Sequence, residues 1–438
     1  MRQRHRRRSQ RSRSQPPNPE QVRLLNTEPL NPIDWLFGLE QFGIKFGLDN
    51  MQALVAELGH PERAFRSVHV AGTNGKGSVV ATVDAALIAA GHRSARYTSP
   101  HLVDLSERFV IEGRPIGRAP LEAAAADLRE AVDRLLSRGR LQGPPTFFEA
   151  TTAIAFELFH RARVEVAVCE VGLGGRLDAT NVLEPAVTAI TTIGLDHQEY
   201  LGRSLADIAR EKAGIIKRGV PVVVGNLRPD ALSVVEEVAR SLNAPVVHAE
   251  GPAALATYEP VRLALQGTHQ IANAAVAVRL LEELVRQGVA VSASAVRAGL
   301  EHVVWPGRLE VRRLPDGREV LLDAAHNADG AKALRDHLAD KPPRPMVFAT
   351  MRDKDVAAMI ETLAPIVSAF IMTRASNARS SEPAALAELA RRADPRLTVA
   401  VEPSAGAALA HAWRLSSEIV VAGSIFLLGD VMNELKRP

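Results

Sequence analysis

The sequence predicts an α/β protein of two domains, each organised around a parallel sheet. Its 438 residues exceed what one hydrophobic core usually holds, so two domains are expected. From about residue 30, short apolar runs rich in β-branched residues alternate with longer amphipathic runs, which is typical of strands joined by crossover helices. A turn with the sequence WPG at 305–307 divides this alternation into two blocks. We therefore predict an N-terminal domain at 21–304 and a smaller, Rossmann-like domain at 305–438.

The predicted elements follow one another in a regular order. In the first block, strands are predicted in RSVHVAG, VEVAVCEV, AVTAITTIG and VPVVVG, and helices in SVVATVDAALIAAG, PLEAAAADLREAVDRLLSRG, FEATTAIAFELFHRA and DALSVVEEVARSLN. In the second block, strands are predicted in GREVLLDAAHN, PMVFATM, AFIMTRAS, RLTVAVE and EIVVAGS, and helices in NADGAKALRDHLAD and EPAALAELARRA. Parallel strands end at one edge of their sheet, so a site is expected where the two domains meet.

The positive charge of the chain is concentrated in its first residues. Seven arginines and no acidic residue lie within residues 1–13, and the remaining 46 Lys and Arg face 50 Asp and Glu, a balance of about −4. The rest of the chain is thus mildly acidic, which argues against nucleic acid as a partner. The segment 1–20, rich in Arg, Ser and Gln, cannot bury a core and is predicted to be disordered. Contact of this tail with RNA or an anionic surface stays open.

Composition also excludes several other classes of protein. No apolar run approaches the ~20 residues that cross a bilayer, and the opening segment lacks the apolar stretch of a secretory signal. The single cysteine, Cys169, excludes a disulfide framework and a Cys-based zinc site, and its apolar surroundings predict a buried, unreactive thiol. We expect a cytoplasmic monomer without a membrane partner.

A glycine-rich segment, VAGTNGKGS at 70–78, joins the first predicted strand to the first predicted helix. Glycines let backbone N–H groups approach phosphate oxygens, and the helix start adds a positive end. Lys76 can reach terminal phosphates, and Ser78 can offer a hydroxyl to Mg²⁺. The segment departs from the GxxxxGK[ST] pattern, because Val70 replaces the first glycine and Gly77 follows the lysine. An ordinary strand-to-helix turn is the alternative, but the combination favours a nucleotide site of P-loop type.

The loop GTNGKGS and the blocks that follow it resemble, in the same order, the dihydrofolate synthase/folylpolyglutamate synthase family. This family is related to the ligases that add amino acids to murein precursors. The further blocks read YTSPHL at 97–102, ER at 107–108, TFFE at 146–149, EVGLGGRLDATN at 170–181, LDH at 195–197, EKAGI at 211–215, HQIANAA at 269–275, WPGR at 305–308 and LDAAHN at 322–327. The resemblance extends from about residue 30 to the C-terminus, and it implies a P-loop-type ATPase domain followed by a ligase domain.

The resemblance implies that the chain binds ATP and Mg²⁺, and it leaves a second Mg²⁺ or a K⁺ open. An acid at a strand end, such as Glu170, is a natural Mg²⁺ ligand beside a nucleotide. From chemistry alone, His197 is as well explained by hydrogen bonding, and only the resemblance makes it a metal ligand. The implied metal ligands are Ser78, Ser99, Glu170 and His197. The implied ATP contacts are Thr73, Asn74, Gly75, Lys76, Gly77, Ser78, Asn273, Arg308 and Asp323.

Four residues are implied at the catalytic centre, namely Lys76, Lys212, Asp323 and His326. A lysine in a charged helix such as ADIAREKAGIIK is most often solvated. The matching lysine of the family is carbamylated, so the resemblance implies a carbamate on Lys212. Asp323 also makes sense as a helix N-terminal residue without any ligand.

The resemblance places the pterin and benzoate of the acceptor against three segments of the N-terminal domain. Phe147 or Phe148 can stack on a flat heterocycle, although one of the two is equally well explained as part of the core. The implied acceptor contacts are Phe46, Gly47, Leu48, Thr146, Phe147, Phe148, Glu149, Leu177, Asp178 and Ala179.

The implied activity is ATP-dependent ligation of L-glutamate to dihydropteroate, to the γ-carboxylate of folates, or to both, through an acyl phosphate. One alternative is another Mur-type amino-acid ligase, against which TSPHL and FFEATTAIAF argue. A second is a P-loop NTPase switch with an RNA-binding tail, in which EVGLGGRLDATN has no evident use. A third is an inactive binding protein, but lysine, acid, histidine and arginine are present in every block that needs them.

Overall fold

The computed structural model describes residues 31–258 and 260–436. These residues form two α/β domains, each with one sheet between two layers of apolar side chains. The predicted two-domain α/β fold is confirmed. The Arg-rich tail predicted at 1–20 lies outside the described residues, as do residues 21–30 of the predicted N-terminal domain.

The N-terminal sheet has eight strands in the order β4-β3-β2-β5-β1-β6-β7-β8. Their bounds are β1 Arg66–Ala71, β2 Ser94–Tyr97, β3 Phe109–Ile111, β4 Arg114–Pro115, β5 Val166–Glu170, β6 Val187–Ile190, β7 Val222–Val224 and β8 Val246–His248. Six neighbouring strands pair in parallel, in the order β2-β5-β1-β6-β7-β8, whereas β3 pairs antiparallel with both β2 and β4. The predicted parallel arrangement holds for these six strands, and the antiparallel β3 and β4 make the sheet mixed at one edge. Glu112 and Gly113 both have positive φ and reverse the chain in a two-residue turn, which joins antiparallel neighbours.

Helices cover both faces of this sheet. Their bounds are Pro32–Gly38, Asp49–Glu57, Lys76–Ala89, Arg118–Ser137, Phe147–Arg161, Gln198–Leu201, Leu205–Ala213, Pro229–Ser241, Gly251–Leu255, Thr268–Arg286 and Ala293–His302. Alternate residues of the central strands face opposite layers: Val168 packs with Val68 and Val70 on one face, and Cys169 with Phe156 on the other. Burial on both faces explains why these strands are continuous apolar runs rather than alternating ones.

The C-terminal sheet has six strands in the order β13-β12-β11-β14-β10-β9. Their bounds are β9 Glu310–Arg313, β10 Glu319–Leu322, β11 Arg344–Phe348, β12 Val367–Met372, β13 Thr398–Val401 and β14 Glu418–Ala422. The helices are Ala328–Leu338, Val356–Leu363, Pro383–Ala393, Ala405–Leu415 and Ile425–Glu434. Strand β9 pairs antiparallel with β10, so this sheet is also mixed rather than purely parallel. The polar sequence of β9 gave no strand signal, because an edge strand of this kind is only half-buried.

The chain passes from the first sheet to the second between His302 and Glu310. Before this connection, the helix Ala293–His302 packs so closely on the helix Lys76–Ala89 that a Cβ on Gly299 would lie 2.6 Å from the Cβ of Ala86. The domain boundary at 304/305 falls inside the connection and stays a prediction. None of the described helices is long and apolar enough to span a bilayer.

Candidate functional site

The glycine-rich loop lies between β1 and the helix Lys76–Ala89, as predicted. Gly72 has a φ of 153°, and a Cβ there would lie 1.9 Å from Thr191 Oγ1. Gly75 has a φ of 85°, and a Cβ there would lie 2.2 Å from Asn273 Oδ1. Both positions therefore require glycine, because neighbouring polar side chains press directly on the loop backbone.

Lys76 lies over its own loop and faces an acid from the neighbouring strand. Its Nζ donates to the carbonyls of Gly72 at 3.1 Å and Thr73 at 3.3 Å. The same Nζ is 3.8 Å from Oε1 of Glu170, which ends β5. The lysine and the acid thus meet at the carboxyl edge of the sheet, as the strand ends predict.

Of the three other predicted metal ligands, Ser99 contacts Glu170. The backbone N–H of Ser99 donates to Glu170 Oε2 at 3.3 Å, and Ser78 is buried in the first turn of the loop helix. Burial raises the pKa of Glu170, although the charges of Lys76 and Arg308 oppose the rise. His197 follows β6, and burial lowers its pKa to about 4, so its imidazole is neutral at pH 7.

Lys212 is buried, contrary to what its charged helix favours. It is 5% exposed, and its Nζ donates to the carbonyl of Gly72 at 3.0 Å. Burial, helped by the charge of Lys76, lowers the pKa of Lys212 to about 7. The lysine thus reaches the phosphate loop from a different helix, and a large fraction of its amine is unprotonated near neutral pH.

Asp196 connects the two domains and was not singled out from the sequence. Its Oδ1 is 2.6 Å from Nζ of Lys354, and its Oδ2 accepts from Asn327 Nδ2 at 3.0 Å. Burial opposes ionisation of Asp196, but the charge of Lys354 holds the pKa of this carboxyl well below its usual range. Both Lys354 and Asn327 belong to the C-terminal domain, so one carboxylate of the first domain is held by two side chains of the second.

A second contact between the domains lies beside this one. The amides of Asn74 and Asn327 bond to each other twice, with Nδ2 to Oδ1 distances of 3.3 and 3.0 Å. Lys354 and Asn327 could not be found from the sequence as partners of Asp196, because pairing across domains leaves no spacing signal. The blocks LDH and LDAAHN nevertheless contain Asp196 and Asn327.

Asp323 and His326 follow β10, as predicted. Asp323 accepts from the backbone N–H groups of Leu309 at 2.9 Å and Ala325 at 3.0 Å, so it organises its own loop. Burial raises its pKa, and the charge of Arg308 opposes that rise. Nδ1 of His326 lies 2.8 Å from the carbonyl of Ala324, and burial lowers the pKa of His326 to about 4.

The polar residues of the predicted acceptor segments mainly make hydrogen bonds within their own helix starts and loops. Thr146 and Glu149 form a capping box at the start of the helix Phe147–Arg161, with Glu149 N to Thr146 Oγ1 at 3.1 Å and Thr146 N to Glu149 Oε2 at 2.7 Å. Asp178 caps the short helix that starts at Ala179, and its carboxylate accepts from Leu173 N at 2.8 Å. Leu177, just before it, is half-buried.

The aromatic residues of these segments differ from one another in exposure. Phe148 packs against Gly172, where a Cβ would lie 2.4 Å from its ring, and is in contact with Tyr97. Phe147 stacks on Phe37 at 5.7 Å and is half-buried. Phe46, followed by Gly47 and Leu48, is 50% exposed. Phe46 thus presents apolar surface to solvent, whereas Phe147 and Phe148 pack against other aromatic rings.

A phosphate loop with an opposed lysine and acid, covered by a second α/β domain, fits the ATP-dependent Mur-type ligases that the sequence resembles. The matching regions of known proteins agree with this class. Residues 307–425 match the family described as Mur ligase, glutamate ligase domain. The dihydrofolate synthase/folylpolyglutamate synthase of Bacillus subtilis (strain 168) is 36% identical over 435 residues, which cover 92% of this chain and 98% of that enzyme.

Solved structures agree over the same length. The folylpolyglutamate synthase of Mycobacterium tuberculosis, solved with ADP and AMPPCP, is 33% identical with a TM-score of 0.85, over 93% of this chain and 99% of that one. The bifunctional folylpolyglutamate synthase/dihydrofolate synthase of Yersinia pestis, solved with AMPPNP and a Mn ion, is 30% identical with a TM-score of 0.80, also over 93% and 99%.

The chain belongs to the dihydrofolate synthase/folylpolyglutamate synthase family. It is an ATP-dependent ligase that adds glutamate, and the predicted activity and family are confirmed.

Proposed function

We propose that one site joins L-glutamate both to dihydropteroate and to the γ-carboxylate of reduced folates, and that the residues around the phosphate loop carry the chemistry. The observation that carries this proposal is the meeting of Lys76 and Glu170 at an edge that the second domain covers through Asn327 and Lys354. An acyl phosphate hydrolyses readily in water, so a cleft between two domains suits a reaction that must exclude water.

The nucleotide lies, in this proposal, along the phosphate loop with its phosphates at the start of the helix Lys76–Ala89. Backbone N–H groups and the helix dipole neutralise phosphate charge there. Lys76 leaves the loop carbonyls to contact the terminal phosphate, while Arg308, half-buried beside Asp323 and Glu170, approaches from the second domain. The proposed nucleotide contacts are Thr73, Asn74, Gly75, Lys76, Gly77, Ser78, Asn273, Arg308 and Asp323.

The residues around Glu170 fit a magnesium ion bound together with phosphates. No group of three or more His, Cys, Asp and Glu within the described ranges is arranged to hold a metal by itself. Mg²⁺ needs no such group, because it commonly takes one or two carboxylates and completes its shell with phosphate oxygens and water. The buried Glu170 carboxylate, the hydroxyls of Ser78 and Ser99 and the neutral His197 ring supply that donor set. When bound, Mg²⁺ supplies positive charge to the transferred phosphate.

The reaction proceeds in two steps. An oxygen of the acceptor carboxylate attacks the γ-phosphorus of ATP, the bond to the β-phosphate oxygen breaks, and ADP leaves an acyl phosphate behind. The amino group of glutamate then attacks the acyl carbon, loses a proton, and phosphate departs with the C–O bond electrons. Lys76 and Arg308 stabilise the charge of the first transition state, and we assign the uncharged His326 ring as the acceptor of the amine proton.

Lys212 carries a carbamate in the active enzyme. An unprotonated amine is needed to attack CO₂, and burial lowers the pKa of Lys212 to about 7, which makes that form available. The carbamate replaces a buried cation by an anion beside Lys76, so it removes a repulsion between like charges.

In this proposal, the flat ring system of the acceptor lies against the side chains of Phe46 and Phe147. A bifunctional enzyme of this family has been solved with Mn, AMPPNP and L-glutamate together, which supports a glutamate position next to the nucleotide. We place the enzyme in the cytoplasm as a monomer.

A product assay tests this function directly. Purified protein is incubated with ATP, labelled glutamate, Mg²⁺ and either dihydropteroate or a reduced folate. Labelled product is expected with both acceptors, and no product with a murein precursor. Product with only one acceptor would remove the dual role, and ATP hydrolysis without any ligation would favour an NTPase.

A further inference from the structure

The indole ring of Trp305 lies directly on the phosphate loop. An ideal Cβ on Gly77 would be 2.5 Å from Cζ2, 2.8 Å from Cε2 and 3.0 Å from Nε1 of this tryptophan. Gly77 has an ordinary helical conformation, in the first turn of the helix Lys76–Ala89, and no positive φ. Its backbone would therefore accept any L-residue, and the obstacle to a side chain there is the indole.

The ring has a second contact that depends on the same helix. Asp84 follows Gly77 by seven residues and so lies on the same helix face. Its fully buried carboxylate accepts from Arg96 Nη1 at 2.7 Å and from Ser94 Oγ at 2.6 Å. The guanidinium carbon of Arg96 is in turn 5.8 Å from the centre of the Trp305 ring. The ring thus contacts both the loop glycine and an arginine that Asp84 holds.

The chain between Trp305 and Arg308 is held by hydrogen bonds at Gly307. Gly307 donates its N–H to Glu310 Oε2 at 2.8 Å, and its carbonyl accepts from Ala324 N at 2.8 Å and from Arg308 Nη1 at 3.0 Å. A Cβ on Gly307 would lie 2.8 Å from Leu428, so this turn is also closely packed. Only two residues separate the ring on the loop from the arginine at the phosphates, and they have little freedom.

Hydrogen bonding does not explain the tryptophan. Among the described residues, Trp305 Nε1 and Arg96 Nε have no hydrogen-bond partner although both atoms are buried. Leaving buried donors unpaired costs stability, and an aliphatic side chain would fill the space without that cost. The presence of tryptophan is therefore explained by its flat ring and by the contact of this ring with the loop.

We propose that Trp305 is a positioning residue that fixes the domain connection to the phosphate loop and thereby places Arg308 at the nucleotide. The glycine inserted after Lys76 exists, in this account, because the indole requires the space above it. This inference rests on the proposed role of Arg308 at the phosphates.

A first pair of variants tests the contact itself. Gly77→Ala is expected to lower both the melting temperature and kcat while Trp305 is present. In a protein that already carries Trp305→Leu and so lacks the ring, Gly77→Ala is expected to cause little further loss of melting temperature or kcat. Equal losses in the two backgrounds would overturn the contact as the reason for the glycine.

A second cycle tests the positioning role. Trp305→Leu and Arg308→Ala are each expected to reduce kcat about a hundredfold, because a small displacement at the reacting group has an effect of this size. Their combination is expected to be no worse than Arg308→Ala alone, because without the guanidinium there is nothing left to place. The affinity for AMPPNP, measured by calorimetry, should follow the same non-additive pattern.

Trp413→Phe is the matched control. Trp413 also carries an arginine, Arg318, over its ring at 4.1 Å and also has an unpaired buried Nε1, but it lies on the helix Ala405–Leu415 away from the loop. It is expected to leave kcat and nucleotide affinity unchanged. If Trp305→Leu fails to fold, Trp305→Phe gives the same cycle with a smaller effect.

Separate results would contradict the proposed nucleotide site and the positioning role of Trp305. Full activity of Arg308→Ala would contradict the proposed nucleotide site. A strong loss in Arg308→Ala together with a purely additive Trp305→Leu, or with no effect of Trp305→Leu, would contradict only the positioning role.

Discussion

The proposed nucleotide side and the proposed acceptor side of the site are built in different ways. On the nucleotide side, Glu170 ends a strand, Lys76 begins the helix after the phosphate loop, and Lys212 approaches the loop from another helix. The charged groups of these residues meet around this one loop. On the acceptor side, Thr146 and Glu149 are bonded to each other as a helix cap. The first region concentrates reactive groups, and the second consists of residues that already have structural partners.

This difference has a physical origin. Phosphate chemistry needs fixed charges, and a parallel sheet delivers side chains from several strands to one edge. A flat, mostly apolar acceptor needs surface and shape, which aromatic residues such as Phe46 and Phe147 supply alongside their packing contacts. Substitutions on the nucleotide side should therefore reduce turnover, and substitutions on the acceptor side should change stability or acceptor affinity.

The largest effect is expected for Lys76→Ala. Removing this charge from the terminal phosphate should reduce turnover by about a thousandfold at saturating ATP, with an unchanged melting temperature. Lys332→Ala is the control, because Lys332 is an exposed lysine paired only with Asp336 on a helix surface. Near-normal turnover of Lys76→Ala would show that the phosphate loop is misassigned.

Lys212→Ala should lose most of its activity, about a hundredfold, because the carbamate is missing. Lys212→Glu should regain part of it, since a carboxylate restores the charge at shorter reach. After incubation with ¹³C-bicarbonate, the native enzyme should show a carbamate signal that Lys212→Ala lacks. Lys217→Ala is the control. Lys217 is half-buried and, like Lys212, donates to a backbone carbonyl, but that carbonyl belongs to Asn181 and not to the phosphate loop. A fully active enzyme without a carbamate signal would refute the modification and leave the phosphate loop unaffected.

The contact between the domains can be broken from the C-terminal side. Lys354→Met leaves the buried Asp196 without its cationic partner, which should lower the free energy of unfolding by about 3 kcal/mol and reduce turnover. Adding Asp196→Asn removes the unpaired charge and should restore part of the lost stability. Chemical denaturation of the two variants measures both effects. Additive losses would mean that the two side chains do not act as a pair.

A smaller effect, on stability, is expected on the acceptor side. Thr146→Ala removes one half of the capping box and should cost about 1 kcal/mol of unfolding free energy. Thr146→Ser keeps the hydroxyl and is expected to behave like the native protein. A large rise in the KM for the acceptor in Thr146→Ala without any loss of stability would turn this residue into a direct substrate contact.

Deletion of residues 1–18 should have the smallest effect. Each residue assigned to the site has a number of 46 or higher, so turnover is expected to be unchanged. Steady-state kinetics of the purified truncated protein, compared with the full chain, checks this. A substantial decrease in kcat would assign the Arg-rich tail to the site.

The strand ends that carry site residues could be read from the sequence because buried parallel strands are continuous apolar runs. The positions of Glu170 and Asp323 at strand ends follow directly from such runs. The antiparallel strands β3, β4 and β9 were not predicted, because they are short or half-buried edge strands. Edge strands show little of the hydrophobic pattern on which the prediction depends.

Contacts between distant parts of the chain were beyond prediction for a different reason. The burial of Lys212 depends on the loop that ends β1, 140 residues earlier in the chain, so local composition favoured a solvated lysine. The pairing of Asp196 with Lys354 spans 158 positions and two domains. The indole of Trp305 on Gly77 is likewise absent from any local pattern. Such contacts depend on tertiary packing, which one sequence does not reveal.

The fate of one oxygen atom tests the central claim, that the phosphate loop activates the acceptor carboxylate as an acyl phosphate. Dihydropteroate with ¹⁸O in its carboxylate is converted with ATP and glutamate, and the released phosphate is examined by mass spectrometry. One ¹⁸O atom per phosphate is the predicted result, because the acyl C–O bond breaks when the amine attacks. Unlabelled phosphate from a reaction that forms the amide product would contradict the account.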